Sequence, residues 1–592
     1  MTAKPLTCTA DFVELLRRQG ELLVIEEEIN PYLELAELQR QVAARKGPAL
    51  LFTQVKGTRF AVATNLYGST RRMELAFGGA PFRFIRQAAD LAQNALPPRP
   101  KKLWEARGLA LQGLKIGLKE ATRGPVFDHQ QQGSEVDLGI LPQLHSWPQD
   151  GGAFITLPLV YTQSPTTGKG NLGMYRIQLF DQSTTGMHIQ IHRGGGFHYH
   201  EAEQLNRPLP ARVLVGGPPA LTLAAIAPLP EDLPELLFAS LLLGQKLKVG
   251  SDSLGLKLPL DADFCLSGLI PPHQRRPEGP FGDHYGYYSL RHDYPFLQVQ
   301  RLNWRNNAIW PATVVGRPPQ EDHYLAEFLQ ELLSPLFPLV MHNVKQVWAY
   351  EESGVHSLAG AVVKDRYPRE AFQAALRILS EGQLSLTKFL LVTDQDIKVQ
   401  NLPQLLTKVL ERADFARDLF VFSNISQDTL DYTGPQVNEG SKAILLGLGE
   451  KKYNLCNHLP ESLPHAQLGN PRLFVPGVLC LQGPRYDLAP KLAQELAHLP
   501  QLAPYRWVCL FDDSSAASQS TADFIWHLFT RFEPAADIYG QQQVARFHVG
   551  INGPMIFDAR LKPWYPGVLE PDPQTSEQVK RRFGTLLNRL EG

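Results

Sequence analysis

Two carboxylates five residues apart mark the segment RRPEGPFGDHYGYYS, residues 275–289. Glu278 and Asp283 lie among prolines and glycines that prevent a regular helix, so a loop is predicted here. Such a loop can place two acids around a small substrate in different environments, which separates their pKa values into a proton donor and a charged stabiliser. The alternative interpretation is a pair of solvated loop acids beside a turn.

Four of the seventeen histidines fall within residues 171–200, NLGMYRIQLFDQSTTGMHIQIHRGGGFHYH. On a strand, His188 and His192 would share one face, because side chains alternate with a period of two. Neutral imidazole binds metal ions, and a glycine-rich backbone can approach a phosphate closely. The stretch is therefore a candidate metal or cofactor site. The alternative is a polar strand and loop with surface histidines.

The elements around these two stretches change character along the chain. The first hundred residues alternate helical and strand-like patterns, which favours a small α/β unit. Residues 126–312 contain short β-rich segments interrupted by glycine and proline, a texture typical of a barrel or sandwich. From about residue 317 the α/β texture returns, beginning with the amphipathic pattern EDHYLAEFLQELLSPLF. Both candidate stretches thus lie in the β-rich centre.

The last part of the chain contains a weak internal repeat. Lys388 followed by FLLVTD, and a helix that ends between Arg412 and Asp418, resemble Arg506 followed by WVCLFD and the run from Arg531 to Asp537. One interpretation is a duplicated βα unit. The other is that two ordinary βα units look alike because apolar strands and amphipathic helices recur by patterning alone.

Composition excludes several classes of protein. The chain has 592 residues with 58 Lys+Arg against 59 Asp+Glu, a balance that lacks the basic surface of a nucleic-acid-binding protein. Its five cysteines are widely spaced and form no CxxC, which argues against a disulfide framework or a zinc knuckle. No signal peptide or transmembrane segment is predicted, so the expected compartment is the cytoplasm. The fingerprints GxGxxG, HExxH and GxSxG are also missing.

Taken together, the motifs resemble the UbiD family of reversible decarboxylases, which use prenylated flavin mononucleotide (FMN). The resemblance covers most of residues 10–445 in the family's order. The matching runs are GELLVIEEEINPYLELAEL, KGPALLF, NLGMYR, HRGGG, PEGPFGDHYGYY, GRPP and the TKF-strand-D segment. PEGPFGDHYGYY is long and unusual, and together with NxxxYR upstream it carries most of the identification.

The resemblance implies a fold and a division into domains. The expected class is a mixed α/β and β multidomain protein, commonly homo-oligomeric. We expect an N-terminal α/β domain (1–125), a central split β-barrel like that of flavin reductases (126–316), a C-terminal α/β domain (317–485) and a C-terminal extension (486–592) that holds the possible repeat. The apolar helix at 321–337 is a candidate contact surface between copies, or an ordinary helix between domains.

The resemblance also implies a cofactor site. Asn171, His192 and Glu235 match the ligands of a divalent ion, usually manganese, that bridges protein and cofactor phosphate; His188 is an alternative to His192, and potassium is a further candidate ion. Oxygen-rich ligation with one imidazole suits such a hard ion. The residues that match flavin contacts are Met174, Tyr175, Arg176, His188, Ile189, Gln190, Arg193, Gly194 and Lys388.

Arg176, Glu278 and Asp283 match the family's catalytic trio. Arg176 would hold the substrate carboxylate with its planar fork, Glu278 would pair with Arg176, and Asp283 would supply the proton that replaces carbon dioxide. The chain departs from common family patterns at Ser267, where many relatives have a glutamate, and in the triple glycine with its neighbouring histidines.

The sequence thus predicts a decarboxylase of an aromatic or conjugated carboxylic acid, with a quinone precursor as the favoured substrate and a flavin prenyltransferase as the supplier of cofactor. Two alternatives remain. One is a histidine-rich divalent-metal hydrolase built on His188, His192 and Glu278. The other is a catalytically silent flavin-binding protein.

Overall fold

The structure is a computed structural model that describes residues 5–94, 107–189, 194–229, 233–251, 254–463 and 465–590. Helices and sheets alternate along the chain in several units, so the predicted mixed α/β, multidomain class is confirmed. The predicted contacts Gln190, His192 and Arg193 lie outside the described residues.

The N-terminal unit is built on a four-stranded sheet. In sheet order its strands are Leu22–Ile25, Ala49–Phe52, Ala61–Thr64 and Ile309–Ala312. The fourth strand follows the central region in sequence and pairs parallel with the third, which ties the two regions together. The helices of this part of the chain are Thr9–Arg18, Glu34–Ala44, Thr70–Phe77, Ala80–Asn94 and Arg107–Gly113.

A nine-stranded antiparallel sheet forms the centre and curves into an open half-barrel, in agreement with the β-rich texture of this part of the sequence. In sheet order its main strands are Ala153–Ile155, Ile177–Leu179, Thr184–Gly186, Phe296–Trp304, Phe264–Ile270, Leu209–Val215, Pro158–Gln163 and Gly170–Met174. The ninth strand, His129–Gln132, pairs with Phe296–Trp304. The helices are Gly194–Gln204, Pro219–Ile226 and Glu235–Leu243.

Two small sheets complete the centre. One contains Leu118–Glu120, Leu247–Ser251 and Lys257–Pro259. The other is the antiparallel pair Arg276–Glu278 and His292–Tyr294, which brackets the predicted acidic loop. Glu278 therefore stands at the end of a strand, and Asp283 lies within the loop that follows.

The predicted amphipathic helix is present as Glu321–Leu333. Its apolar side chains are buried, and the Phe328 ring lies 5.1 Å from Phe77 and 5.0 Å from Phe82 between ring centroids. This apolar face packs against the N-terminal unit within the same chain, as an ordinary helix between domains would.

Two five-stranded sheets with the same strand order and directions follow. The first contains, in sheet order, Val344–Ala349, Leu358–Val363, Phe389–Thr393, Glu439–Gly447 and Leu419–Ser426. The second contains Gly469–Val475, Val478–Gln482, Trp507–Phe511, His548–Asp558 and Ile538–Ala545. Each has a parallel centre and an antiparallel strand at each edge. The second sheet begins at Gly469, upstream of the division expected at 485.

The two sheets share one apolar core, and their contacts are reciprocal. Phe389 of the first central strand lies 5.8 Å from Trp507 of the second. Lys388 lies over the ring of Phe532, and Arg506 lies over the ring of Phe415, so each cation reaches the other unit. The helices of the two units are Phe337–Val340, Glu370–Ile378, Leu402–Leu410, Leu492–Leu496, Ser514–Ala517, Thr521–Phe529 and Pro534–Asp537.

The last helix, Pro573–Asn588, returns to the N-terminal unit. Asp572 caps it by accepting a hydrogen bond from Thr575 N at 2.7 Å, and proline occupies its first turn. Its buried face, Val579, Phe583 and Leu587, belongs to the core that also contains the helix Glu34–Ala44. Across the described parts of the chain, none of the helices combines the length and apolar character that a bilayer crossing requires.

Candidate active site

Arg176 occupies the short connection between the strands Gly170–Met174 and Ile177–Leu179 and is almost completely buried. Its Nε and Nη2 donate to the two carboxylate oxygens of Glu278, each at 2.8 Å. Glu278 is fully buried. A parallel two-bond pair of this kind fixes the plane of the guanidinium as well as its position.

The same guanidinium also holds the loop that carries Asp283. Arg176 Nη1 pairs with Asp283 Oδ2, and Nη2 donates to Ser289 Oγ at 3.0 Å. Ser289 Oγ in turn accepts a hydrogen bond from Phe281 N at 3.1 Å. One arginine therefore binds two carboxylates and one hydroxyl, and it links both ends of the loop.

Two polar side chains of the central region also hold the loop. Gln178 Oε1 accepts from Gly279 N at 2.9 Å, and Asp150 Oδ1 accepts from Gly282 N at 2.8 Å. A Cβ at Gly282 would lie only 2.1 Å from the Trp147 ring, so this close approach requires glycine. Burial raises the pKa of Asp150 to about 6, against its hydrogen bonds to main-chain amides.

Neighbouring charges determine the pKa values of the two carboxyl groups in this cluster. Burial alone would raise the pKa of Glu278, but the Arg176 guanidinium outweighs it and lowers the pKa to about 2. Burial likewise raises the pKa of Asp283, whereas Arg176 and His284 hold it well below its ordinary value. Both carboxyl groups are therefore ionised near neutral pH.

Two histidines complete the cluster. His284 Nδ1 lies 2.7 Å from Asp283 Oδ1; burial would lower the pKa of this imidazole, but Asp283 raises it above its ordinary value. His188 Nδ1 lies 3.4 Å from Glu278 Oε2 and packs against the ring of Tyr294; burial and Arg176 lower the pKa of His188. Asp283 thus favours the protonated form of His284, whereas burial and Arg176 favour the neutral form of His188.

Two of the three predicted metal ligands lie close together. Glu235, at the first position of its helix, accepts a hydrogen bond from Leu172 N at 3.1 Å, next to Asn171. Burial raises the pKa of Glu235, so a cation beside it would favour the ionised carboxylate. Carboxamide and carboxylate oxygens suit a hard divalent ion, so these two residues fit the implied metal. Within the described ranges no group of three or more His, Cys, Asp or Glu has the arrangement of a metal site.

The predicted flavin contacts fall into two groups. Tyr175 and Gly194 lie against Asn171, whose Nδ2 donates to Tyr175 OH at 3.3 Å, whereas Met174 packs against an apolar core cluster. A Cβ at Gly194 would lie 2.1 Å from Asn171 Oδ1, so glycine lets the backbone pass close to the candidate ligand. Ile189 is buried in the apolar core. This arrangement fits a cradle for the phosphate end of a flavin nucleotide.

Lys388 belongs to the second group and lies farther along the chain, in the first C-terminal sheet. It is 1% exposed, and its Nζ lies 2.7 Å from Asp431 Oδ2. Tyr432, next to Asp431, reaches the acidic loop by accepting from Leu290 N at 2.9 Å. The structure thus joins Lys388 to the loop through this acidic segment and gives its charge a partner within the protein.

Sequence reasoning missed several residues of the site. His284 and Ser289 lie inside the quoted motif, so their positions were visible although their contacts were not. Tyr294 and Asp150 gave no signal, because each is an ordinary residue in a β-rich stretch and reaches the cluster only through the fold.

Three family models match the chain. They are described as the N-terminal, Rift-related and C-terminal domains of 3-octaprenyl-4-hydroxybenzoate carboxy-lyase, and they match residues 13–92, 119–318 and 323–447. Together they span well over half of the chain and include the whole of the Arg176 cluster.

A relative from Chlamydia pneumoniae, whose name describes it as part of a 4-hydroxybenzoate decarboxylase, is 46% identical over 576 residues, which is 96% of this chain and 97% of its own. Vanillic acid decarboxylase of Sedimentibacter hydroxybenzoicus, in its closed form, superposes with a TM-score of 0.68 at 24% identity, over 79% of this chain and 97% of its own. An evolved dimeric form of HmfF from Pelotomaculum thermopropionicum, in complex with prenylated FMN, gives 0.60 at 20% identity, over 76% and 96%. At these identities the two solved structures establish the shared fold.

Proposed function

We propose that this chain, which belongs to the UbiD family of carboxy-lyases, uses prenylated FMN to decarboxylate an aromatic carboxylic acid. The observation that carries the proposal is the sharing of one buried arginine fork between Glu278 and Asp283. A carboxylate substrate can take the place of the Asp283 carboxylate on that fork, while Glu278 keeps the guanidinium in plane.

This exchange of partners would prepare the proton donor. When a substrate carboxylate shares Arg176, Asp283 loses part of the positive field that lowers its pKa, and it can accept the proton held by His284. The bond between the substrate carbon and its carboxylate then breaks, carbon dioxide leaves, and the electron pair stays on the carbon. Asp283 delivers its proton to that carbon, and solvent restores the proton on His284.

The implied cofactor would lie beside this cluster. Asn171, His192 and Glu235 would hold a divalent ion, with manganese first and potassium as a further candidate; Met174, Tyr175, Arg176, His188, Ile189, Gln190, Arg193, Gly194 and Lys388 would contact the flavin. Prenylated FMN, when bound, supplies the electron sink for the carbon that loses its carboxylate. The protein binds, orients and excludes water around it. A flavin prenyltransferase would have to provide this cofactor.

For the substrate we propose a hydroxylated benzoate or a related precursor of a quinone. The names of the matching family model and of the chlamydial relative both refer to 4-hydroxybenzoate, and vanillic acid is also a hydroxylated benzoate. The buried ring of Phe281 beside Arg176 and the half-buried ring of Tyr294 beside His188 are suited to a flat aromatic substrate.

The test is co-expression with a flavin prenyltransferase, followed by an absorbance spectrum, metal analysis, native mass and carbon dioxide release from 4-hydroxybenzoate and vanillate. Asp283→Asn should retain bound flavin and lower turnover by about 10²–10⁴-fold. Asp293→Asn, an exposed acid on the neighbouring strand, is the matched control and should keep normal turnover.

The two alternatives predict different results. A metal hydrolase would bind no flavin and would work with a divalent ion alone; the fixation of both Glu278 oxygens by Arg176 argues against Glu278 as its ligand. A silent flavin-binding protein would bind flavin but release no carbon dioxide from any carboxylate, with or without Asp283.

A further inference from the structure

The loop that carries Glu278 and Asp283 is held from outside by a distant part of the chain. Tyr288 N donates to Gly567 O, and Leu569 N donates to Gly286 O, each at 3.0 Å. Tyr287 and Val568 form the isolated β-bridge between these two bonds. Residues 567–569 therefore add a short antiparallel strand to the far side of the loop.

Side chains of the helix Thr521–Phe529 reinforce this pairing. Trp526 Nε1 donates to Tyr285 O at 2.9 Å, and its ring stacks on Tyr287 with 5.5 Å between centroids and 13° between planes. A Cβ at Gly286 would lie 2.8 Å from Trp526 Nε1, so the loop backbone lies directly against the indole. The loop and this helix fit each other at van der Waals distance.

Arg531, just after that helix, supplies a third contact. Its Nε donates to Tyr287 OH at 2.9 Å, and Nη1 pairs with Asp512 at 3.1 Å. Its main-chain oxygen accepts from Lys562 Nζ at 2.8 Å. Because Arg531 also contacts Asp512 and Lys562, its bond to Tyr287 connects the loop to the second C-terminal unit.

The residues that support the loop also contact other units of the chain. Arg317, beyond the central sheet, pairs with Asp523 at 2.5 Å and lies over the Trp526 ring at 4.0 Å. At the other end, Leu569 packs in one buried apolar cluster with Ala36, on the helix Glu34–Ala44. Residues 521–531 and 567–569, together called the brace below, are thus anchored to the N-terminal, central and C-terminal parts of the chain.

We propose that the brace is a positioning element of the active site, with Trp526 and Arg531 as positioning residues that act through the loop. This rests on the proposed roles of Glu278 and Asp283. The family models end at residue 447, so the brace lies outside the part of the chain that they describe. The loop is rich in glycine and proline and has little regular structure of its own, so the brace adds to Arg176, Gln178 and Asp150 in fixing the position of Asp283.

The expected effect on kcat and KM follows from the different roles proposed for Arg176 and Asp283. Arg176 lies between two strands of the central sheet and, in the proposed function, binds the substrate carboxylate, whereas Asp283 lies on the supported loop and moves the proton. A loosened loop should therefore lower kcat and leave KM nearly unchanged. A misplacement of about 1 Å in such a group lowers rates by up to about 10²-fold.

Hydrogen–deuterium exchange on the full-length protein tests the brace directly. Trp526→Phe keeps an aromatic ring but removes the donor to Tyr285 O, and Arg531→Lys keeps a charge for Asp512 but removes the donor to Tyr287 OH. Each should speed exchange of the amides in residues 279–289 by about fivefold or more and lower kcat by about 10-fold. The matched control is Trp564→Phe, because Trp564 belongs to the same unit, is 60% exposed and contacts Tyr486 and Tyr565 rather than the loop.

The outcomes separate this inference from the proposed function. Unchanged amide exchange rates in residues 279–289 of both variants would contradict the proposed role of the brace. A rise in KM with unchanged kcat would contradict it as well. Wild-type protein without decarboxylase activity would contradict the proposed function, while faster loop exchange in the variants would still support the brace. If Arg531→Lys does not fold, Trp526→Phe alone decides.

Discussion

Two buried arginines, Arg176 and Arg560, each bind one carboxylate through two hydrogen bonds. They differ in the partners of their remaining donors. Arg176 in the central region binds Glu278, and Arg560 in the second C-terminal unit binds Asp558 at 2.9 and 2.7 Å. The remaining donors of Arg560 go to the main-chain oxygens of Pro484 and Ala489, at 3.1 and 3.0 Å. Those of Arg176 go to the Asp283 carboxylate and the Ser289 hydroxyl.

The difference shows that a buried ion pair alone does not identify an active site. Main-chain carbonyls do not titrate and are fixed by the fold, so an anionic ligand cannot take their place on Arg560. Neighbouring Lys562 and Asp537 form an ion pair at 3.1 Å, so the charges of this cluster balance. The Arg176 cluster has a second carboxylate, Asp283, on a loop, and the proposed function requires that carboxylate to exchange places with the carboxylate of the substrate.

The largest effect is expected from Asp558→Asn. It leaves Arg560 buried with no opposite charge, and removal of one partner from such a pair lowers the free energy of unfolding by about 3–5 kcal/mol. Urea unfolding measures this loss. Asp487→Asn removes the acid of the exposed Arg485–Asp487 pair and should lower the same quantity by less than about 1 kcal/mol. Equal losses in the two variants would contradict the structural role given to the Arg560 cluster.

Glu278→Gln tests whether the Arg176 cluster, unlike the Arg560 cluster, takes part in the reaction. The amide keeps the shape of the carboxylate but loses the charge that fixes the Arg176 fork, while Asp283 still neutralises the guanidinium. We expect turnover to fall by about 10²–10³-fold, a range typical for loss of one electrostatic group at a reacting centre. Steady-state kinetics on flavin-loaded protein measure it. Turnover within twofold of wild type would remove Glu278 from the site.

Acid should weaken the Arg176 cluster in a defined range of pH. The folded-state pKa of Glu278, about 2, lies below its ordinary value of 4.5, so the carboxylate contributes stability that is fully present above about pH 5. This contribution, on the order of 2–3 kcal/mol, is lost as the pH falls from about 5 towards 2. Urea midpoints measured across that range should fall less steeply in Glu278→Gln than in wild type. The exposed-acid control Asp293→Asn should retain the wild-type slope.

Much of the fold and part of the site could be predicted from the sequence, for identifiable reasons. The β-rich centre and the helix Glu321–Leu333 follow from periodicity, which directly reflects burial of one face. Arg176, Glu278 and Asp283 could be selected because they stand in unusual motifs, and the structure brings them together. Their catalytic roles remain predictions, as do the expected domain boundaries and the duplication suggested by the Lys388 and Arg506 runs.

The brace could not be predicted, because its contacts join residues far apart in sequence. Trp526 and Tyr285 are ordinary residues in their own segments, and only the packing of the second C-terminal sheet brings the indole to the loop. The partner of Lys388 was missed for a similar reason, since Asp431 lies in an irregular segment with no pattern. Local sequence patterns indicate helices and strands, whereas tertiary packing determines which loop a distant helix or strand contacts.

The smallest effect is expected from loss of the Ser289 hydroxyl, which has no counterpart among the partners of Arg560. Ser289→Ala removes the acceptor shared by Arg176 Nη2 and Phe281 N, and should lower the free energy of unfolding by about 1.5–3 kcal/mol, the range for a hydrogen bond to a charged group. Ser267→Ala is the matched control, because Ser267 accepts a 2.7 Å bond from another buried arginine, Arg212, in the central sheet. Urea unfolding should show similar losses for both, but only Ser289→Ala should lower turnover, by about fivefold, because only Ser289 lies at the base of the acidic loop. Equal turnover in the two variants would show that the Ser289 hydroxyl, like that of Ser267, contributes to stability alone.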